Sequence, residues 1–286
     1  MVGNRGWKKF FVISLFLLPN FIGFLFFIEI PIVSSFFLSF TQWDLISKPK
    51  WVGLQNYINL LKDPEFWAAL KHTIYFIIGY LPTVMVLALG IALILNKKIN
   101  GRLFFRAAYF IPVISSWVAV SLIWKWLFNP SYGLINYVLS IFGFEGLAWL
   151  HDPAWAMPAI IITSIWKDLG FVMVIYLAGL QGIPSTYYEA AEIDGANSWK
   201  KFTNITLPEL YFVIGAVGLL RGIWNFYKFD EVYLMSKSAG TLPIFIYERV
   251  IGTTSPEFGV AAAVATILMV IMMILIGFYV RKVLKW

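Results

Sequence analysis

The stretch TIYFIIGYLPTVMVLALGIALIL at residues 73–95 decides the fold class, because it runs for 23 residues without a charged side chain. A helix of this length is roughly 34 Å long, enough to cross the hydrocarbon core of a bilayer. The segment also lacks the alternation of polar and apolar residues that a barrel strand needs. Five more apolar stretches predict spans at 10–28, 107–124, 154–180, 210–227 and 259–280. We therefore predict an all-α polytopic membrane helix bundle with about six transmembrane helices.

The composition agrees with a membrane protein and excludes an ordinary soluble globule. Hydrophobic residues make up 60% of the chain and charged residues 13%, whereas about 25% of residues are charged in an average soluble domain. We expect one transmembrane domain over residues 1–286. Cysteine is absent and the only histidines are His72 and His151, so the sequence predicts neither a thiolate site nor a metal site.

The distribution of Lys and Arg predicts how the chain is oriented. The loops on the side of the termini hold 12 of these residues and the loops on the other side hold 7. The positive-inside rule then places both termini in the cytoplasm of a multi-pass protein of the cell (inner) membrane. No small-residue cleavage site follows Ile28, so we interpret the first span as a retained anchor rather than a signal peptide. We expect Pro31 to kink the chain after this span, toward the outer interface.

The cytoplasmic connection at residues 181–209 is longer than packing neighbours need, which is typical of a functional loop. Thr186 and Glu189 have the spacing of a capping box with Thr186 at the N-cap, and this predicts a helix over 187–194. Gly195 would end that helix, because glycine adopts the left-handed conformation at little cost.

A second short helix is predicted in the same loop. Asn197 or Ser198 can cap it, and it would run over 199–205. Pro208 marks its limit before the fifth span begins. Trp199 and Phe202, three positions apart, are expected to form an apolar edge that rests against the bundle.

A spaced motif runs through this loop. It reads EAA, three residues, G, nine residues and then IxLP, with fixed positions at Glu189, Ala190, Ala191, Gly195, Ile205, Leu207 and Pro208. The motif resembles the EAA motif of inner-membrane permeases of binding-protein-dependent ABC importers. The sequence LAGLQGIP before it and the triplet Asp194-Gly195-Ala196 within it are similar to the carbohydrate branch, specifically its six-span, maltose-type first permease. NPSYGLIN at 129–136 and WLHDP at 149–153 extend this likeness.

The resemblance implies a division of labour between subunits. In such importers two permeases form the pathway, two ATP-binding subunits lie beneath them, and an extracytoplasmic solute-binding protein delivers the solute. The loop would then be the coupling helix that docks on the ATPase, with Asp194 and Ala196 beside the fixed positions. ATP and magnesium would be bound by the partner subunits, and this chain would hold no cofactor. The residues agree, since no Gly-rich sequence ending in Gly-Lys-Ser or Gly-Lys-Thr is present.

Two loop residues have simpler explanations beside the functional one. Glu189 would stabilise its helix by about 1 kcal/mol as part of a capping box, without touching any partner. The family gives this glutamate a charged contact with the ATPase. Gly195 can be a plain backbone requirement, although the turn that it permits would position the coupling helix.

Charged residues inside spans are costly and are therefore candidates for function. Lys167 and Asp168 interrupt the fourth span and Arg221 the fifth. Lys167 and Asp168 point about 100° apart on a helix, so they cannot share one partner. A structural pair of Asp168 with Arg221 and a role in the pathway both remain open.

The end of the fifth span carries a second set of pathway candidates. Trp224, Asn225 and Tyr227 combine flat apolar faces with hydrogen-bonding groups, as recognition of a sugar or polyol requires. Because aromatic residues are also common in interface belts, a purely structural role is the alternative for each.

These observations favour a transport subunit without enzymatic activity, serving a sugar or a related polar solute. A phosphorylated polyol is a second candidate, for which Lys125, Lys167 and Arg221 would supply positive charge. A stand-alone channel or secondary transporter is less consistent, because the chain shows no internal two-half repeat. A membrane enzyme would need clustered His, Asp or Glu, and the acidic residues here are scattered.

Overall fold

The computed structural model describes residues 4–283, and these form an almost entirely helical protein. The elements in the first part of the chain are α1 Asn4–Phe24, a π-helical turn Leu25–Glu29, α2 Ile30–Leu38, β1 Thr41–Gln42, β2 Lys50–Trp51, α3 Gln55–Lys62 and α4 Pro64–Asn96. The middle part contains α5 Arg102–Ile114, α6 Trp117–Leu127, α7 Leu134–Ile141, α8 Pro153–Gln181 and α9 Ser185–Ile193. The remaining elements are α10 Ser198–Lys201, a π-helical turn Phe202–Thr206, α11 Leu207–Glu209, α12 Tyr211–Phe226, α13 Asp230–Met235, a 3-10 turn Lys237–Ala239, α14 Leu242–Val250 and α15 Phe258–Val283.

The prediction of an all-α polytopic bundle with about six spans is confirmed. Within residues 4–283, four helical segments are long and apolar enough to cross a membrane by themselves: Lys9–Leu38, Pro64–Asn96, Pro153–Gln181 and Phe258–Arg281. Two bent helix pairs raise the number to six: Arg102–Ile114 with Trp117–Leu127, and Ser198–Glu209 with Tyr211–Phe226.

Two predicted boundaries were wrong. The first span does not stop at Ile28, because a π-helical turn and α2 carry the helical path on to Leu38 without a sharp bend. Pro31 lies in the first turn of α2, where its missing N–H and fixed φ are tolerated, so it does not break the helix. The helix of the second span begins at Pro64 rather than at residue 73.

The third span is broken in its middle, which hydropathy did not indicate. The pair α5 and α6 bends by 102°. Pro112 lies near the end of α5, and Ser115 and Ser116 then take extended backbone conformations. The hydroxyl of Ser116 caps α6 by accepting a hydrogen bond from the backbone N–H of Ala119. A proline followed by a serine N-cap therefore starts a new helix in a new direction.

The chain divides into two compact units, Met1–Asp63 with Ile246–Val270, and Pro64–Phe245 with Ile271–Trp286. In the second unit, α4 packs along α8. The packed face of α4 carries Tyr80, Val84, Ala88 and Ala92, four residues apart and fully buried. The small side chains of Ala88 and Ala92 allow the two helix axes to approach closely.

In the first unit, β1 and β2 form a two-stranded antiparallel ribbon with Thr41 opposite Trp51. Asn56 of α3 fixes the ribbon, since its side-chain amide donates to the backbone carbonyls of Ser39 and Thr41. Gly259 of α15 lies directly against the Thr41 carbonyl, where a Cβ atom would clash. This ribbon and the start of α15 therefore form one packed group.

Candidate functional site

The loop at residues 181–209 folds as two helical arms, as predicted, but the first arm begins differently. Helix α9 has Pro184 at its N-cap and no side-chain cap. Thr186 is already inside the helix, so the predicted capping box was wrong. Proline supplies the extended backbone at the N-cap, which moves the start of the helix two positions earlier than the box requires. The exposed Glu189 makes no hydrogen bond or ion pair with any residue of the described range 4–283.

Gly195 ends α9 in the left-handed conformation, with φ of 74°, as predicted. The backbone N–H of Ala196 donates to the carbonyl of Ala191 at 2.8 Å, and that of Gly195 to Glu192 at 3.0 Å. These two bonds form a Schellman motif. No atom lies within 4 Å of the position of a Cβ on Gly195, so its backbone conformation, not lack of space, demands glycine.

The second arm starts where the sequence indicated. Asn197 caps α10 by accepting a hydrogen bond from the N–H of Lys200 at 2.9 Å. The arm continues through a π-helical turn to α11, and a 60° bend then leads into α12. Ile205, Leu207 and Pro208 all lie on this arm, upstream of the bend. The fifth span therefore receives the loop through continuous helical turns.

Two side-chain contacts hold the arms together. The hydroxyl groups of Tyr188 and Thr206 are hydrogen bonded at 2.9 Å. Lys201 forms an ion pair with Glu192 at 2.6 Å. Each contact joins the α9 arm to the second arm, so the loop has a defined shape rather than that of a flexible connection.

The outer surface of the loop is apolar in a way that the sequence analysis missed. Ile193 is 88% exposed and Trp199 is 69% exposed. The expectation that Trp199 rests on the bundle was wrong; its ring contacts the neighbouring Phe202 instead. Ala190 is exposed and Ala191 half-buried. The sequence feature that could have indicated this exposed surface is Ile193 itself, a large apolar residue placed directly before the polar turn at Asp194 and Gly195.

A buried charge cluster connects four elements of the second unit, and Asp168 of α8 is its centre. One carboxylate oxygen of Asp168 lies 3.3 Å from the guanidinium of Arg221. The other accepts a hydrogen bond from the Tyr80 hydroxyl at 2.7 Å and lies 3.2 Å from the ammonium of Lys228. Lys228 is also 2.6 Å from the carboxylate of Glu231. The structure thus contains the Asp168–Arg221 pair considered above, and adds Tyr80, Lys228 and Glu231.

Lys167 points away from this cluster, as the helix geometry required. Its ammonium donates to three backbone carbonyls at the break between α5 and α6: Pro112 at 3.1 Å, Val113 at 3.1 Å and Ser115 at 2.8 Å. The ring of Trp117 covers it at 5.0 Å. The carbonyl end of a helix carries partial negative charge, so a buried ammonium is well placed there.

The pathway candidates of the fifth span separate into exposed and buried groups. Trp224 and Tyr227 are 52% and 56% exposed. Asn225 is buried, and its amide nitrogen donates to the carbonyl of Arg221. The Arg221 guanidinium lies over the rings of Phe171 and Trp224, at 4.4 and 5.2 Å from their centres. Of these three candidates, Trp224 and Tyr227 are exposed and Asn225 is not.

No group of three or more His, Asp or Glu residues within residues 4–283 is arranged to hold a metal ion.

The chain was compared with known proteins. Residues 72–285 match the family described as "Binding-protein-dependent transport system inner membrane component". The trehalose/maltose transport system permease protein MalF of Thermococcus litoralis is 37% identical over 78% of this chain and 76% of its own length. The lactose transport system permease protein LacF of Rhizobium radiobacter is 36% identical over 88% of each chain.

A solved structure matches the fold over nearly the whole length. It is a bacterial ABC transporter involved in the import of the acidic polysaccharide alginate, with a TM-score of 0.86 and 25% sequence identity, over 99% of both chains. The resemblance drawn from the sequence motif is confirmed by these matches.

Proposed function

Because the chain belongs to the family of inner membrane components of binding-protein-dependent transport systems, we propose that it is a permease subunit of an ATP-driven importer for a neutral sugar or related polar solute. It forms part of the translocation pathway together with a second permease. Two ATP-binding subunits drive it, and an extracytoplasmic binding protein supplies the solute. The observation that carries this proposal is the EAA loop, which is structured, exposed and joined directly to the fifth span.

The shape of the loop supports coupling to the ATP-binding subunits. Glu189 and Ala190 are exposed on α9, where Ile193 follows Glu189 one helical turn later, and Trp199 is exposed on the second arm after the Schellman turn at Gly195. Apolar side chains of this size outside a span mark a surface that another protein covers. Because the Tyr188–Thr206 hydrogen bond and the Lys201–Glu192 ion pair join the two arms, a displacement of α9 is passed on to α12.

The cation bias of the sequence places this loop and both termini on the cytoplasmic side. The ATP-binding subunits then dock on the side where ATP is available. The ribbon β1–β2 and the connection that precedes α15 lie on the opposite, extracytoplasmic side. The chain is in this account a multi-pass protein of the cell membrane that hydrolyses nothing itself.

The internal charges favour a neutral solute over a phosphorylated one. Arg221 is paired with Asp168, and Lys167 is satisfied by three carbonyls. Two of the three cations that would attract a phosphate are thus engaged within the protein. Trehalose, maltose and lactose are neutral, and the permeases named for them are similar to this chain over three quarters of its length or more.

The solute path lies beside the exposed face of the fifth span. Trp224 and Tyr227 offer flat rings to the C–H faces of a sugar, and the phenol of Tyr227 can exchange hydrogen bonds with hydroxyl groups. Asn225, which is buried, supports the helix through the Arg221 carbonyl rather than touching solute in this conformation. The Arg221 guanidinium lies behind the Trp224 ring, on the protein side of it, and is engaged with Asp168.

The test is transport in vesicles that contain the assembled importer, with the binding protein outside and ATP inside. Labelled maltose, trehalose and lactose serve as candidate solutes. Truncation of an aromatic contact costs a bound ligand roughly tenfold or more in affinity, so we expect Trp224→Ala to reduce uptake by about that factor. Trp7→Ala, which removes an exposed tryptophan of the first helix, is the matched control and should transport normally.

Arg221→Gln separates the two solute classes after assembly has been verified. Loss in Trp224→Ala alone supports a neutral sugar, whereas loss in Arg221→Gln alone supports an anionic solute. Normal uptake in both variants would place the path on another helix.

A further inference from the structure

A polar cleft in the first unit is not used by any step described so far. It is open to the surface, has a volume of about 440 Å³, and lies between the ribbon β1–β2, helix α3 and the segment that leads into α15. Its volume falls in the range of pockets that hold small ligands, roughly 300 to 1,000 Å³. Its lining includes Trp43, Asp44, Lys50, Asn56, Asn59, Ser255 and Glu257.

The aromatic wall and the first carboxylate of this cleft are held in fixed positions. The indole N–H of Trp43 donates to the carbonyl of Ser47 at 2.8 Å, and its ring packs against Phe258. One oxygen of Asp44 accepts three hydrogen bonds, from the N–H of Ile46 and from the N–H and hydroxyl of Ser47, at 2.7 to 3.0 Å. The bonds from Ser47 lower the pKa of Asp44, so the carboxylate is ionised. Its second oxygen has no partner among residues 4–283.

The amides of Asn56 and Asn59 and the carboxylate of Glu257 are each held by one polar atom, which leaves the other polar atom of the group without a partner within residues 4–283. Asn56 uses its nitrogen for two backbone carbonyls, and Asn59 uses its oxygen to accept from Gln55 at 2.8 Å. Glu257 uses one oxygen for an ion pair with Arg249 at 3.2 Å. Three side-chain atoms are without a partner in the described part of the chain: the amide oxygen of Asn56, the amide nitrogen of Asn59 and the second carboxylate oxygen of Glu257. Each group is therefore oriented by the protein and has a hydrogen-bonding position to spare.

From this arrangement we infer that the cleft is an outer saccharide subsite, which binds a neutral hydroxylated solute on the extracytoplasmic side of the permease. The unpartnered carboxylate oxygens accept hydrogen bonds from sugar hydroxyls, the Asn59 amide donates, and the Trp43 ring offers a surface to C–H groups. The carboxylates of Asp44 and Glu257 are balanced by the ammonium of Lys50, which also lines the cleft, and by Arg249, the ion-pair partner of Glu257. The lining therefore carries no excess charge, which suits a neutral solute. The inference rests on the proposed function and on the orientation stated there.

Because the chain has no cysteine, occupancy can be followed with one introduced thiol. Ser255→Cys is nearly isosteric and places the reporter at the rim of the cleft, where Ser255 is exposed. The labelling rate with a membrane-impermeant maleimide is measured on the assembled importer in right-side-out vesicles, without and with 100 mM maltose, trehalose or lactose. A subsite with a dissociation constant of about 10 mM is roughly nine-tenths occupied at that concentration, so labelling should slow about tenfold. Ser140→Cys, an exposed serine outside the cleft, should label at an unchanged rate.

A second pair of variants tests the carboxylate. Asp44→Asn, made in the Ser255→Cys background, keeps an oxygen for the Ser47 turn but replaces the unpartnered oxygen with an amide. We expect about tenfold weaker binding, as for loss of a hydrogen bond to a charged group, so that 100 mM saccharide slows labelling only about twofold instead of about tenfold. Asp152→Asn is the matched control, since Asp152 also caps a backbone N–H with one oxygen and lies outside the cleft; it should protect normally.

The outcomes separate the subsite from the proposed function. Uptake of a saccharide without protection of Ser255→Cys by that saccharide overturns the subsite and leaves the proposed function intact. Protection without uptake of any saccharide supports the subsite and counts against the proposed function. Protection by the binding protein alone, with no saccharide present, overturns the inference and identifies the cleft as a protein contact. Protection that Asp44→Asn leaves unchanged contradicts the assigned role of that carboxylate.

Discussion

Lys167→Met removes the ammonium that holds the break in the third span, and its cost can be worked from the contacts. Of the three carbonyls that Lys167 bonds, Pro112 also accepts from the N–H of Ser115 at 3.2 Å. The carbonyls of Val113 and Ser115 have no second donor within the described residues. Two partly buried acceptors would thus be left unsatisfied, where a fully buried one costs about 1 to 3 kcal/mol. Because the burial is partial and methionine also removes the cost of burying a charge, we expect a net loss of about 1 to 3 kcal/mol.

The assay is thermal unfolding of the purified permease pair in detergent, together with amide hydrogen exchange of peptides covering residues 111–120. We expect a melting temperature lower by several degrees and faster exchange at the break. Lys125→Met, in the same bent span, is the matched control, because Lys125 is exposed and should change neither value. Equal melting temperatures and equal exchange in the two variants would refute the assigned role of Lys167.

Two further predictions follow from the charge cluster and from the orientation. Asp168→Asn leaves Arg221 buried without its carboxylate and should destabilise the protein by about 3 to 5 kcal/mol. The double variant with Arg221→Gln restores the balance of charge and should recover part of this loss in the same thermal assay. No recovery would show that the pair is not coupled. Ser198→Cys should react with an impermeant maleimide only from the cytoplasmic side and Ser140→Cys only from outside, and labelling of Ser198→Cys from outside would reverse the topology.

The spans and the loop motif could be predicted from the sequence because they depend on local properties. Length and hydropathy determine whether a helix can cross a bilayer, and the left-handed turn at Gly195 follows from the residue type alone. The cap at Asn197 was also a local feature. Each of these predictions was confirmed by the backbone geometry of the structure.

The features that were missed depend on neighbours distant in sequence or on competition between local signals. Tyr80 and Lys228 lie 88 and 60 positions from Asp168, and no spacing rule connects them. The bend between α5 and α6 is invisible to a hydropathy average, which scores both halves as apolar. Thr186 failed as an N-cap because Pro184, two positions earlier, already supplied the extended backbone at which the helix starts.

A pair of glycine variants distinguishes coupling of solute to ATP through the EAA loop from a general effect of backbone strain. Gly195 and Gly143 both have φ above 70° and open space around the Cβ position, so aspartate at either should cost a similar strain of about 1 to 2 kcal/mol. Only Gly195 lies in the loop. In the reconstituted importer we predict that Gly195→Asp abolishes saccharide-stimulated ATP hydrolysis while Gly143→Asp retains it. Equal stimulation in both variants would contradict the account.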